Sequence, residues 1–236
     1  MTGPIVYADV EQRSEAWHAL RLGRLCGSRA ADMCATIKSG EAAARRNLRS
    51  ELLLERLTGR RVERDLSGVK AVQDGVEREP AALRLYEAET GRLIERVGFL
   101  AHPELAAGCS PDGLADEGIV EVKCPQPSTH LEYLQTRTVP DAYVKQCVHG
   151  LWISGAAWCD FVSYQPDFTG PLEALQLVII RIERDAIAVA EYELRARAFL
   201  REVDLAVAAV LTLADTAGRL RAVHQAVCDA GTVGAA

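Results

Sequence analysis

Clustered cysteines, long apolar runs and an excess of positive charge are all missing from this 236-residue chain, and each absence closes a class of function. The seven cysteines, at 26, 34, 109, 124, 147, 159 and 228, include no Cys-x-x-Cys pair and follow no regular spacing. That argues against a zinc module and a disulfide framework, and leaves reduced thiols in core positions as the expectation. No apolar stretch is long enough to span a bilayer, and the segment from Met1 to Asp9 has neither a basic start nor an apolar run. The expected location is therefore the cytoplasm, with no membrane partner. No internal repeat is present, the histidines at 18, 102, 130, 149 and 224 are unclustered, and no phosphate-cradling glycine loop precedes a helix, which argues against an ATP-driven motor.

Lysine is scarce, occurring only at 38, 70, 123 and 145, and the formal charge is −6 with a pI near 5.5. Any contact with nucleic acid must then come from a local basic surface, for which the arginines gathered at 21 to 29, 45 to 64 and 181 to 201 are the available material. With 49% hydrophobic and 25% charged residues, the composition is that of one compact domain with a sizeable core.

Against that background one stretch concentrates chemistry. In Ile119-Val-Glu-Val-Lys123 the strand period of two puts Ile119, Glu121 and Lys123 on one face and Val120 and Val122 on the other, so a carboxylate and an ammonium stand side by side. Pro111-Asp112-Gly113 and Asp116-Glu-Gly118 carry turn residues, which allow Asp112 to lie beside Glu121 on a neighbouring strand. Two carboxylates that close favour a cation between them, and hard oxygen donors suit Mg²⁺ or, alternatively, Mn²⁺. Such a site can polarise a phosphoryl oxygen and acidify a bound water, with the lysine orienting that water or stabilising developing charge. Each motif alone is also an ordinary strand face or turn.

In this order and separation, Pro111-Asp112, eight residues, then Glu121-Val122-Lys123 resembles the PD-(D/E)XK nuclease signature. The resemblance extends over roughly the first four-fifths of the chain to the phage lambda exonuclease and YqaJ-like viral recombinase family. The blocks that carry it are Ala16-Trp-His-Ala-Leu-Arg-Leu-Gly23, Cys109-Ser-Pro-Asp-Gly-Leu114, Val120-Glu-Val-Lys-Cys-Pro125 and Tyr143-Val-Lys-Gln146, in the family's order. The scattered cysteines set the chain apart from the iron–sulfur nucleases of the same superfamily. The resemblance implies an α/β restriction-endonuclease-like fold, a mixed central sheet flanked by helices, to which the sequence itself adds a C-terminal helical extension. It implies metal ligation by Asp112, Glu121, the Val122 carbonyl and Glu77, the last from the segment Gly75-Val-Glu77, with two ions per active site and Lys123 at the water. It also implies a 5′-phosphate and DNA pocket from Arg21, Ser28, Ser110, Gln146 and Tyr143, where Cys26 stands in place of the threonine common in that block. A homotrimeric ring threaded by a double-stranded DNA end, and a single-strand annealing protein as partner, follow from the same resemblance.

The chain reads as one nuclease domain, 1–183 being the family-like core and 184–236 the helical extension. Helices are expected at about 11–22, from an N-cap at Ser28 to about Ile37, and at 41–58, 71–90, 129–135 and 141–154. Strands are expected at 93–100, 106–109, 119–124, 157–164 and 175–182, the last apolar enough to be buried on both faces. Beyond Arg184 the sequence reads as one long helix or two broken near Gly218, with Leu205 to Leu213 either in the core or at a subunit contact. The expected activity is a Mg²⁺-dependent 5′-to-3′ double-stranded DNA exonuclease releasing 5′-mononucleotides and leaving 3′ overhangs. The alternatives are an endonuclease with the same motif and a catalytically inactive DNA-end-binding or scaffold protein.

Overall fold

The hairpin that follows Pro111 decides how the chain is laid out. Asp116, at φ 50°, turns β5 (Gly113–Ala115) back onto β6 (Gly118–Lys123) as an antiparallel pair. After β6 the chain leaves through α5 (Pro127–Thr136) and α6 (Asp141–Ser154), then returns as β7 (Trp158–Tyr164), parallel to β6. β8 (Leu177–Glu183) closes this sheet antiparallel to β7, giving the order β5-β6-β7-β8. The computed structural model describes the backbone of residues 3–62 and 70–232, and the side chains of 3–62 and 75–219.

The central sheet expected from the sequence is divided in two. A second four-stranded sheet, ordered β1-β3-β4-β2, is built from β1 (Ile5–Tyr7), β2 (Leu25–Cys26), β3 (Phe99–Ala101) and β4 (Ala107–Cys109). Both sheets are mixed, since β2 runs parallel to β4, and a bridge between Glu95 and Leu114 links the segment before β3 to β5. The strand expected at 93–100 thus shrinks to its last residues, and β1, β2 and β5 are too short to have left a period-two signal.

Around the sheets lie α1 (Glu15–Arg21), α2 (Ala30–Cys34), α3 (Ala43–Thr58), α4 (Lys70–Thr90) and α7 (Ala186–Thr232). α3 ends at Gly59 and α6 at Gly155, each glycine in the left-handed region that closes a helix. Ser28 does not cap a helix: it lies in a 3-10 turn, Gly27–Arg29, and α2 begins after it.

β7 is an inner strand, buried along its whole length, and it pays for that position with one charge. Asp160 is 1% exposed and satisfied by the Tyr86 hydroxyl at 2.8 Å and by two bonds from Arg181, each 2.8 Å. β8 is an edge strand whose alternate apolar residues pack on both faces as expected, Val178, Ile180 and Ile182 on one cluster and Leu177 and Ile179 on the other, although only Leu177 and Val178 are fully buried and Arg181 and Glu183 are exposed. An edge strand pairs its backbone on one side only, and charged side chains such as Arg181 and Glu183 suit that position.

One apolar cluster packs β6 and β7 against α2, α3, α6 and the first half of α7, through Leu48, Leu151, Phe161, Tyr192 and Phe199. The other packs the reverse face, Val120, Val122 and Val162, against Ala82, Leu83 and Tyr86 of α4. α7 is one helix and does not break near Gly218. Its Val189, Tyr192, Ala196, Phe199, Leu200 and Val203 are buried, whereas Leu205, Val210, Leu211 and Leu213 are exposed and Val207, partly buried, packs on the core, so the segment from Leu205 to Leu213 lies largely outside it. Among the described residues no helix is long and apolar enough to cross a membrane. Cys26, Cys109, Cys147 and Cys159 are buried free thiols, as expected, and Cys34 and Cys124 are half-buried.

His149, fully buried on α6, ties two distant elements together. Its Nε2 lies 2.9 Å from the Gly108 carbonyl, which can only accept, so that nitrogen carries the proton, and Nδ1 receives the Tyr192 hydroxyl at 2.8 Å. The end of β4, from which the Asp112 turn departs, is thereby fixed to α7.

Candidate active site

β6 alternates as its sequence requires. Val120 and Val122 face α4, while Ile119, Glu121 and Lys123 share the face toward α6. Asp112 is locked to this strand twice: its N–H donates to the Val120 carbonyl at 3.0 Å, and its Oδ2 accepts the Val122 N–H at 2.6 Å. Glu121 Oε1 accepts from the Lys123 ammonium and from the Gln146 amide. The Lys123 Nζ also lies 5.2 Å from the centre of the Tyr143 ring, which packs on Phe161.

The electrostatics are those of crowded acids. Burial and the neighbouring Glu121 push the Asp112 carboxyl up to about 8, against the opposing pull of Lys123 and the Val122 N–H. Burial works against the charge of Lys123, but Glu121 and Asp112 outweigh it and hold the ammonium above its ordinary range. Lys123 is therefore a cation at neutral pH in this environment.

The anion-binding candidates surround the same space. Arg21 lies 4.1 Å over the Trp17 ring and reaches the Ser28 hydroxyl at 3.5 Å. Trp17 Nε1 donates to Ser110 Oγ at 2.8 Å. Arg21, Ser28, Ser110, Asp112, Glu121 and Gln146 line one cavity of about 150 Å³. Lys123 touches its wall through Glu121; Lys123, Val122 and Tyr143 are not themselves among the lining residues.

Glu77 is exposed on α4, whereas Glu79 is 6% exposed. Glu79 pairs with Arg13 at 2.8 Å and Arg96 at 2.9 Å, and its charge adds to the rise of the Asp112 carboxyl. Two residues along a helix are about 200° apart, so only one of these glutamates can face the sheet. The signal was present in the chain: Glu79, Ala82, Leu83 and Tyr86 follow helical spacing, and the last three are core. Trp17, Gln12 and Arg13 also reach the site without having been singled out for it.

Among the described residues no three acidic, imidazole or thiol side chains are already grouped around one point. The donors that are present suit a hard divalent cation nonetheless. Asp112 and Glu121 offer carboxylate oxygens, and the burial of Asp112 together with its repulsion by Glu121, which raise its pKa, are what a cation between them would relieve.

Known proteins resemble this chain along the same residues. The model of the YqaJ-like viral recombinase domain matches residues 16–157. The crystal structure of an alkaline exonuclease (LHK-Exo) from Laribacter hongkongensis is 37% identical with a TM-score of 0.76, covering 88% of this chain and 100% of that one. The same exonuclease in complex with dAMP aligns at 38% identity with the same TM-score and coverage. A phage related exonuclease from Haemophilus somnus 129PT shares the fold, with a TM-score of 0.63 at 15% identity over 79% of this chain and 96% of that one. No curated protein sequence matches.

Proposed function

Because the chain belongs to the YqaJ-like viral recombinase family, we propose that it is a metal-dependent exonuclease acting on double-stranded DNA ends. The observation that carries this reading is the meeting of the acidic pair Asp112 and Glu121 with Arg21, Ser28, Ser110 and Gln146 around one cavity. A phosphodiester and a terminal phosphate are the two anions a degrading enzyme must hold at once, and the two residue sets suit one each.

In this reading Asp112, Glu121 and the Val122 carbonyl hold Mg²⁺, or Mn²⁺ in its place, with two ions per site and Glu79 rather than Glu77 as the third carboxylate. Bound divalent ions supply a Lewis acid for the phosphoryl oxygen and lower the pKa of water. Lys123, kept protonated by its acidic neighbours, orients the attacking water and stabilises negative charge on the phosphoryl group. Arg21 and the Ser28 and Ser110 hydroxyls bind the 5′-phosphate, Gln146 bridges that phosphate and Glu121, and Tyr143 keeps Lys123 in place. Hydrolysis then proceeds 5′ to 3′, releases 5′-mononucleotides and leaves a 3′ single strand. A homotrimer encircling the duplex, a single-strand annealing protein as partner, one nuclease domain over the whole chain and a cytoplasmic location complete the reading, on the strength of the family.

A linear duplex labelled separately at its 5′ and 3′ ends tests it, with Mg²⁺ or EDTA, wild type or Lys123→Ala, and a closed circle as control. Mg²⁺-dependent mononucleotide release from 5′ ends, absent in the variant and on circles, is expected. Cutting of circles would establish an endonuclease, and binding with no cleavage a DNA-end-binding protein.

A further inference from the structure

Gln12 lies in the loop before α1, far in sequence from every acidic residue of the site, and both protons of its amide are used. Its Nε2 donates to the Val97 carbonyl at 2.9 Å and to the Pro111 carbonyl at 3.0 Å. The second bond matters because the Pro111 carbonyl and the Asp112 N–H belong to one planar peptide unit. With the Asp112 N–H already bound to the Val120 carbonyl at 3.0 Å, that peptide is pinned on both sides, to β6 by one end and to Gln12 by the other. Rotation of the plane, which would swing the Asp112 side chain relative to Glu121, costs a hydrogen bond in either direction.

The residue after Gln12 explains how the loop holds this position. Arg13 has φ 73°, a left-handed conformation that is costly for a side chain other than glycine. Its guanidinium closes on Glu79 at 2.8 Å. Two consecutive residues thus reach the two segments that bear the outer carboxylates of the site, Gln12 the Asp112 turn and Arg13 the Glu79 helix.

We infer that Gln12 is a positioning residue for the metal centre: through the Pro111 carbonyl it sets the orientation in which Asp112 meets a divalent cation. The inference rests on the metal-site reading of Asp112 above. Residues that orient metal ligands from behind are typically worth about 10- to 100-fold in metal affinity.

Mn²⁺ affinity of the full chain without DNA, followed by the electron paramagnetic resonance signal of free Mn²⁺, tests this. Gln12→Met keeps the side-chain length and removes both donors. It is expected to weaken Mn²⁺ binding by about 10-fold or more, and saturating Mn²⁺ should restore cleavage. Ser14→Ala is the structural comparison: Ser14 Oγ caps α1 by accepting the Trp17 N–H at 3.2 Å, so its loss loosens the same loop without touching Pro111. Affinity in Gln12→Met within twofold of wild type, or an equal loss in Ser14→Ala, overturns the inference while leaving the metal site standing, provided Asp112→Asn abolishes binding. If Asp112→Asn binds Mn²⁺ like wild type, the metal-site reading fails and the inference with it.

Discussion

The indole of Trp17 donates to the Ser110 hydroxyl at 2.8 Å and to the Gly98 carbonyl at 3.1 Å, which joins α1 to the strand ends that carry the acidic site. The same ring lies under Arg21, so one side chain holds two of the groups proposed for the terminal phosphate. Trp17→Phe keeps an aromatic face for Arg21 and removes the donor. Binding of 5′-phosphorylated duplex ends in EDTA should weaken about 5- to 10-fold, the worth of one hydrogen bond, with a smaller change for 5′-hydroxyl ends. Equal losses on both ends would show that Trp17 serves the fold rather than the phosphate.

The two glutamates of α4 give the sharpest contrast. If Glu79 is the third carboxylate, Glu79→Gln should lower the cleavage rate at limiting Mg²⁺ by about 10- to 100-fold, since it removes a buried carboxylate, fixed by Arg13 and Arg96, whose charge is felt at Asp112. Glu77→Gln, on the exposed side of the helix, should cleave like wild type. A Mg²⁺ titration of both variants on one labelled duplex reads the difference, and a defect in Glu77→Gln alone would restore the other assignment.

His149 predicts a response to acid. Burial, the larger influence, lowers its pKa to about 4 from 6.5, although the Gly108 carbonyl favours the protonated ring. A depressed histidine pKa means the unfolded chain takes up the proton first. Its contribution is therefore complete above pH 6.5 and is lost as pH falls toward 4, on the order of 3 kcal/mol in all. Urea unfolding across that range should show a steeper loss for wild type than for His149→Gln. Parallel curves would contradict it.

Gly108 is a steric requirement of β4. A Cβ there would stand 2.2 Å from Phe99 Cζ and 2.6 Å from the Leu100 carbonyl oxygen, and the second of these is backbone that cannot rotate away. Gly108→Ala should destabilise the protein by about 1–3 kcal/mol or more, measured by urea unfolding, because the strand must shift from β3 to admit a methyl group. Unfolding at the wild-type midpoint would show that β4 has slack.

Much of the site was legible in the chain because strand geometry is local. Glu121 and Lys123 share a face whatever surrounds them, and the Pro111 and Asp116 turns bring Asp112 back beside them within ten residues. The long helices at 43–58 and 141–154 were legible for the same reason, each ending at a glycine that takes a left-handed conformation. Short strands were not, since two or three residues carry no period.

Sequence alone determined the Glu121–Lys123 strand, its alternation and the acidic turn opposite it, because those features depend on backbone period and on residues that force a turn, and its motif blocks carried the resemblance to the family. Only the tertiary structure decided which glutamate of α4 faces the sheet, that Ser28 lies in a turn and not at a helix cap, and that Trp17 and Gln12 hold Ser110 and Pro111 from nearly a hundred residues away. Those relationships depend on how helices and strands pack against one another, and no local rule of spacing encodes which faces will meet.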